Sequence, residues 1–222
     1  NNTMSLIMSI LMKFLVSANL SNVAQIEILP TKCATGPVTP PALFMGKMMK
    51  SVDSGETWES IHEGLSKDFR IQSMGIDQNK VYLGSHEAQL FSRNVSQIHW
   101  EIEHVGNAFI NRKFDEHNIV SGIYTTESGT FVHIINLGLL KKSNGKILWL
   151  PFPKPEGIRF VNDIKEDDKG NVYLSCQEGI FVTKDDGKTW NRIFMTSWVG
   201  DMIIENNHIV SNAGNDIILS ED

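Results

Sequence analysis

Cysteine, long hydrophobic runs and helical periodicity are all scarce in this sequence. Only Cys33 and Cys176 occur among 222 residues, too few for a disulfide framework, and we expect both to be free core thiols. No stretch reaches the roughly 20 apolar residues that a membrane helix needs, so we expect no transmembrane segment. After residue 20 there is no convincing 3.6-residue periodicity, which argues against a helical domain.

An excess of positive charge and recognisable catalytic motifs are also lacking. The chain has 20 Lys and Arg against 26 Asp and Glu, a net charge of −6, and no basic run, so we expect no nucleic-acid partner. No Cys/His cluster has metal-ligand spacing, and there is neither a phosphate-binding glycine loop nor a nucleophile elbow. The sequence therefore predicts no metal and no cofactor.

Residues 1–23 form an apolar N-terminal segment with two possible interpretations. Residues 4–18, MSLIMSILMKFLVSA, could be the core of a secretory signal that ends at Val16-Ser17-Ala18. That interpretation implies a secreted, periplasmic or cell-surface protein, although Lys13 interrupts the run. The alternative is a buried strand of an earlier repeat. Because the chain begins at Asn1, we expect it to be a fragment of a longer protein.

What the sequence does contain is a repeat marked by tryptophan. Trp58, Trp100, Trp149 and Trp190 are separated by 42, 49 and 41 residues, and each closes a similar passage. Each passage has short apolar runs rich in Val, Ile, Tyr and Phe, separated by polar turns. Four antiparallel strands in 40–45 residues are the signature of a β-propeller blade.

The repeat predicts an all-β fold, a β-propeller of four-stranded antiparallel blades over residues 24–222. The predicted blades are 24–62, 66–104, 105–154, 157–194 and 198–222, of which the last is truncated. About 4.5 blades would leave an open sheet edge. We therefore expect an incomplete ring with missing blades, or closure by an irregular first blade that holds the Pro-rich loop 30–41.

Two octets stand in phase with this repeat, SVDSGETW at 51–58 and TKDDGKTW at 183–190. Both match Ser/Thr-X-Asp-X-Gly-X-Thr-Trp and resemble the Asp-box, or bacterial neuraminidase repeat, over about residues 40–222. Related octets are eroded at 92–100 (SRNVSQIHW) and 142–149 (KSNGKILW), and one is cut off at 220–222. Proteins with this repeat include sialidases, xyloglucan-cleaving glycosidases, sortilin-type receptors and photosystem II stability/assembly-factor-like proteins. The resemblance implies a fold and leaves function open.

We expect each octet to be a structural turn between the third and fourth strands of a blade. Its Asp would accept backbone N–H bonds, its Gly would adopt a positive φ, and its Trp would fill space between strands or blades. The predicted structural residues are Ser51, Asp53, Gly55, Thr57, Trp58, Thr183, Asp185, Gly187, Thr189 and Trp190.

If the octets mark one face, ligands would bind the opposite face, on the loops between second and third strands and the links between blades. Candidate ligand-binding residues there are Arg70, Arg112, Arg159, Glu87, Glu178 and Trp198. Converging arginines would form an anion site, and the tryptophan could stack on a sugar or peptide. Each has an ordinary alternative as a solvated, salt-bridged or packing side chain. Further acids on that face are Asp68, Asp115, Glu116 and Glu156, whereas Asp77, Asp167 and Asp168 lie on the octet side.

Two functional hypotheses follow. The first is a non-enzymatic, exported binding scaffold that holds a protein or carbohydrate ligand on the face opposite the octets, similar to the assembly-factor-like branch. The alternative is a fragment or degenerate form of a sialidase- or xyloglucanase-like glycoside hydrolase. Against the sialidase form, the early Arg-Ile-Pro signature is absent, since FRIQ at 69–72 lacks the proline. A sensory propeller of a membrane receptor is a third possibility.

Overall fold

The computed structural model of the protein describes residues 25–29, 47–66, 69–77, 79–109, 112–206 and 208–220, with backbone alone for 25–29 and residue 47. The apolar segment 1–23, the Pro-rich loop with Cys33, Asp68 and the cut-off octet at 221–222 lie outside these residues. The chain divides into two compact units, Asn1–His62 and Glu63–Asp222.

The first unit contains one sheet, blade 1, in the order β1-β2-β3. Its strands are β1 (Gln25–Leu29), β2 (Lys47–Ser51) and β3 (Glu59–Ser60). The intact octet 51–58 joins β2 to β3, and a salt bridge between Lys50 and Glu59 (2.6 Å) ties the two strands beside it.

The second unit contains four successive antiparallel sheets, each meandering in chain order. Blade 2 has β4 (Ser73–Asp77), β5 (Lys80–Gly84), β6 (Leu90–Asn94) and β7 (Glu101–Ile102). Blade 3 has β8 (Val120–Thr126), β9 (Gly129–Ile134), β10 (Gly138–Ser143) and β11 (Leu150–Phe152). Blade 4 has β12 (Asp163–Glu166), β13 (Val172–Cys176), β14 (Gly179–Thr183) and β15 (Asn191–Phe194). Blade 5 has β16 (Met202–Glu205), β17 (His208–Ala213) and β18 (Asp216–Ser220).

The first strands of neighbouring blades contact one another, β4 with β8, β8 with β12, and β12 with β16. Apolar side chains fill the space between blades: Leu90, Val120 and Trp149 between blades 2 and 3, and Phe131, Phe152 and Leu174 between blades 3 and 4. The only helical turn among the described residues is the 3₁₀ turn Val105–Ala108 in the link before blade 3. Four-stranded meanders packed through their first strands are propeller blades, so the predicted fold class is confirmed.

This topology fixes two faces of the second unit. The intact octet 183–190, the eroded octets and the turns between first and second strands lie at one end of these sheets, which we call the octet face. The hairpin loops between second and third strands, and the links between blades, lie at the other end, which we call the mouth face. The first strand of blade 4 begins at Asp163.

Candidate functional site

A cleft of about 490 Å³ opens on the mouth face between blades 2 and 3, and we call it the mouth cleft. It is formed by the segment before β4, the β5–β6 hairpin and the link before β8. Its lining residues are Ser66, Phe69, Arg70, Ser85, His86, Glu87, Gln89, Glu116 and His117. The charged residues Arg70, Glu87 and Glu116 are all exposed to solvent, so they are available to a ligand.

The β5–β6 hairpin loop is held in an unusual conformation. Glu87 and Ala88 have positive φ angles of 55° and 54°, a region that non-glycine residues rarely occupy. The loop keeps this conformation because the Ala88 N–H donates to the carbonyl of Asn118 (2.6 Å) and the buried Ser85 hydroxyl donates to the carbonyl of Arg70 (2.6 Å). Strained backbone of this kind is common at binding sites. The cleft therefore has a preorganised wall.

His86 connects the two blades across the floor of this cleft. Its Nδ1 lies 3.0 Å from the carbonyl oxygen of Glu116, and its Nε2 lies 3.0 Å from Nε2 of Gln72. A carbonyl only accepts, so Nδ1 carries the hydrogen and Nε2 accepts from the Gln72 amide. His86 therefore links the β5–β6 hairpin to the link before blade 3.

The mouth cleft contains two of the six predicted ligand-binding residues, Arg70 and Glu87. Among the residues that the structure describes, the other four are exposed on the mouth face and do not line it. Arg112 lies in the link after the 3₁₀ turn, Glu178 in the β13–β14 hairpin, and Trp198 in the link to blade 5 with 43% of its surface exposed. The Arg159 guanidinium stacks over Phe160, 5.0 Å from the ring centre. Arg70 and Arg159 both precede the first strands of their blades, which begin at Ser73 and Asp163.

A buried histidine under the mouth face was missed in the sequence. His133 of β9 is 1% exposed, and its Nδ1 lies 2.7 Å from Oγ of Ser121, a residue at a bulge in β8. Burial and the nearby Lys154 cation lower the pKa of His133 to about 4, against the opposing effect of a hydrogen bond to the carbonyl of Arg159. The ring is therefore neutral at neutral pH. No residue spacing signals this pair, because the bulge that creates it depends on strand register.

The intact octets hold their shape through a closed set of hydrogen bonds. In the octet 183–190, the Thr183 hydroxyl accepts from the N–H of Gly187 (2.9 Å) and donates to Asp185 (2.9 Å). Asp185 accepts from the N–H and the hydroxyl of Thr189, at 2.8 and 2.7 Å. These bonds lower the pKa of Asp185, and the carboxylate serves the turn.

The octet 51–58 has the same hydrogen-bond pattern. Ser51 accepts from the N–H of Gly55 (2.8 Å), and Asp53 accepts from the N–H and hydroxyl of Thr57 at 2.9 and 2.5 Å. Hydrogen bonds from Thr57 lower the pKa of Asp53 to about 2. The Trp58 indole N–H donates to the carbonyl of Gly55 (3.1 Å), within its own turn.

The eroded octet of blade 3 joins a buried charge cluster that sequence analysis also missed. The Glu103 carboxylate, after β7, accepts from Lys142 (2.8 Å), Trp149 (2.9 Å), Lys80 (2.9 Å) and Ser92 (2.7 Å). Burial alone would raise the pKa of Glu103, but these hydrogen bonds lower it to about 2. Asp77, one of the acids on the octet side, also bonds across blades, since its carboxylate accepts from the Thr130 hydroxyl of blade 3 (3.1 Å).

Neither a metal centre nor a membrane helix is found in the described ranges. No group of three or more His, Cys, Asp or Glu there is placed to hold a metal ion. Within the same residues, no helix combines the length and apolarity needed to cross a bilayer. Cys176 is a free, buried thiol whose pKa is raised to about 11 by burial, which makes it a poor nucleophile.

Comparison with known proteins supports the fold. No protein-family model matches the chain, and no curated protein sequence is significantly similar to it. The structure of YCF48 bound to D1 peptide matches with a TM-score of 0.56 at 13% identity over 80% of this chain. The extracellular domain of a hybrid two-component system from B. thetaiotaomicron matches with a TM-score of 0.57 at 12% identity, over 89% of this chain and 28% of that one.

The WD40 β-propeller domain of Doa1 matches with a TM-score of 0.54 at 10% identity, over 79% of this chain and 57% of that domain. The chain spans 59% of the length of the YCF48 structure. At these identities the matches establish architecture alone. The chain is an all-β protein with the fold of a β-propeller.

Proposed function

We propose that this protein is a non-enzymatic binding scaffold whose ligand, a protein segment or a carbohydrate, occupies the mouth cleft. One observation carries the proposal: the cleft of about 490 Å³ brings together three exposed charged residues, Arg70 before β4, Glu87 on the strained β5–β6 hairpin and Glu116 in the link before β8. A concave site with a few fixed polar groups suits ligand binding. The peptide bound to the similarly folded YCF48 supports a protein ligand.

The octets take no part in binding in this proposal. We propose that they are Asp-box turns, because the carboxylates of Asp53 and Asp185 accept hydrogen bonds from other residues of the same octet, Thr57 and Thr189. We also propose that the protein is exported. The apolar segment 4–18 and the extracellular domain among the similar folds support export. Cleavage after Ala18 during secretion of a tagged chain would test it.

A glycoside hydrolase is the second candidate, because Glu87 and Glu116 line one cleft. Glycosidases of the two-carboxylate kind need such a pair. The catalytic acid, however, is normally buried so that it stays protonated at neutral pH, and both of these glutamates are exposed. The exposure favours the scaffold.

Binding to immobilised synthetic peptides and to a glycan array tests the proposal. We expect at least one class to bind and the variant Arg70→Ala to weaken that binding about tenfold. The matched control is Arg192→Ala, an exposed arginine on the outer strand of blade 4, which should bind like the unmodified chain. Binding that Arg70→Ala leaves unchanged contradicts the mouth cleft. Turnover of fluorogenic sialosides or glucosides that Glu87→Gln or Glu116→Gln abolishes favours the hydrolase.

A further inference from the structure

A second cleft lies on the octet face, between blades 2 and 3, with a volume of about 390 Å³. We call it the octet-face cleft. It is lined by Asp77, Asn79, Lys80, Tyr82, Asn94, Lys142, Ser143, Asn144, Gly145 and Lys146. Two eroded octets contribute to its walls, through Asn94 and through residues 142–146. The cleft therefore occurs where the turns depart from the intact pattern.

Two large apolar side chains that directly follow the lining residue Lys146 are exposed, Ile147 at 88% and Leu148 at 53%. Leu150 of β11 and Ile98 in the eroded octet of blade 2 are also exposed, at 61% and 64%. In the intact octets, the two residues before the tryptophan are polar, Glu-Thr and Lys-Thr. The turn itself therefore does not require apolar residues at these positions. A cluster of exposed aliphatic side chains is the usual mark of an interaction surface.

The lining of the octet-face cleft holds three lysines and one acidic residue, Lys80, Lys142, Lys146 and Asp77. Lys80 and Lys142 pair with Glu103 at 2.9 and 2.8 Å, whereas Lys146 is exposed and forms no ion pair with any described residue. The Lys80 side chain is 32% exposed. An acidic group entering the cleft would therefore meet the free Lys146 ammonium and the partly exposed Lys80, with Asp77 and Glu103 opposing it.

We infer that the octet-face cleft and the adjoining side chains of Ile147 and Leu148 bind a short segment of a partner protein in which an acidic residue neighbours large apolar residues. The acidic side chain pairs with Lys146 and Lys80, and the apolar residues cover Ile147 and Leu148. This surface is separate from the mouth cleft, so the inference does not depend on the proposed function.

The neighbouring blade argues for a peptide over an anionic bilayer. The octet face of blade 4 carries four aspartates interleaved with three lysines, Asp167, Asp168, Asp185, Asp186, Lys169, Lys184 and Lys188. A flat anionic surface docked on blade 3 would therefore meet mixed charge there and no continuous basic patch. A short segment confined to blades 2 and 3 avoids this region.

The test uses the 222-residue chain and fluorescent synthetic peptides in which Asp-Asp is flanked by Leu and Phe. Counterparts carry Lys for Asp or Ser for Leu and Phe, and binding is followed by fluorescence polarisation. We expect the acidic apolar peptide to bind at least about tenfold more tightly than either counterpart, with affinity that falls as salt rises.

Two variants place the binding on the structure. Lys146→Glu, and the uncharged double change Ile147→Ser with Leu148→Thr, should each weaken the binding of the acidic peptide about tenfold. Lys188→Glu in the intact octet and Ile217→Ser on β18, both exposed, are the matched controls and should have no effect. Circular dichroism melting of every variant establishes that the fold is intact.

Three outcomes overturn the inference: no binding of the acidic peptide at millimolar concentration, equal binding of the counterparts, or equal loss in the control variants. Sedimentation with phosphatidylglycerol vesicles tests the alternative that the surface binds an anionic membrane. Sedimentation with such vesicles that Lys146→Glu abolishes, without peptide binding, assigns the surface to lipid and also overturns the inference.

Discussion

The intact octet of blade 4, residues 183–190, and its eroded counterpart in blade 3, residues 142–149, form the same kind of turn by different means. In the intact turn, Thr183 and Asp185 satisfy neighbouring groups locally. In the eroded turn, Lys142 occupies the first position and reaches Glu103 of blade 2. Both turns end in a tryptophan whose indole N–H donates to a group contributed by the preceding blade, Trp190 to Pro153 (3.1 Å) and Trp149 to Glu103 (2.9 Å). The anchor to the preceding blade is retained, whereas the internal bonding of the turn is replaceable.

The largest expected effect comes from removing the anchor of the eroded turn. Glu103→Gln leaves Lys142, 10% exposed, and Lys80 without their carboxylate. Removing one partner of a buried ion pair costs about 4 kcal/mol of unfolding free energy, measurable by urea denaturation. Glu101→Gln on the exposed strand β7 is the control. Equal stability of the two variants would show that the cluster contributes nothing.

The next comparison is between the glycines of the two turns, each replaced by alanine. Gly187 has a φ of +81°, and a Cβ added there would clash with the carbonyl oxygen of Pro153. Gly145 has a φ of +71° with open space around it. Gly187→Ala should therefore cost about 3 kcal/mol and Gly145→Ala about 1 kcal/mol. Thermal melting of both variants tests this order, and a larger loss at Gly145 would contradict it.

Acid should weaken the eroded turn through Glu103. Its pKa is about 2 in the folded protein and ordinarily 4.5, so its contribution is complete above about pH 4.5 and is lost as the pH falls toward 2. With an allowance for partial exposure, the loss is about 2 kcal/mol. Urea denaturation of the protein and of Glu103→Gln across this range should give a steeper acid dependence for the unmodified chain. Parallel curves would refute the assignment.

The smallest expected change in stability comes from giving the eroded turn the two residues that precede the tryptophan in the intact octet of blade 4, Lys and Thr. Ile147→Lys with Leu148→Thr changes only exposed side chains, so unfolding free energy should shift by less than about 0.5 kcal/mol. A larger loss in thermal melting would show that these residues pack on the protein and are not free for a partner.

The sequence predicts the fold well because each blade is determined by patterns within its own roughly 40–45 residues. Trp58, Trp100, Trp149 and Trp190 give the period, and alternating Val, Ile and Tyr give the strands. The octet geometry follows from its own eight residues. The sites are harder, because Arg70 and Glu87 meet Glu116 only after two blades pack. Glu103 and the pair Ser121–His133 depend on contacts and on a bulge that no spacing encodes.

The carboxylate of Glu103 has a consequence for cooperativity. Stability in a repeat protein is the sum of each repeat and its interfaces with neighbours. The Glu103 side chain bonds to groups on β5, β6 and β10 and to Trp149. If blade 2 opened alone, Lys142 in blade 3 would lose the carboxylate with which it pairs. Blades 2 and 3 should therefore behave as a single foldon whose amides exchange hydrogen together, although they are two separate repeats in the sequence.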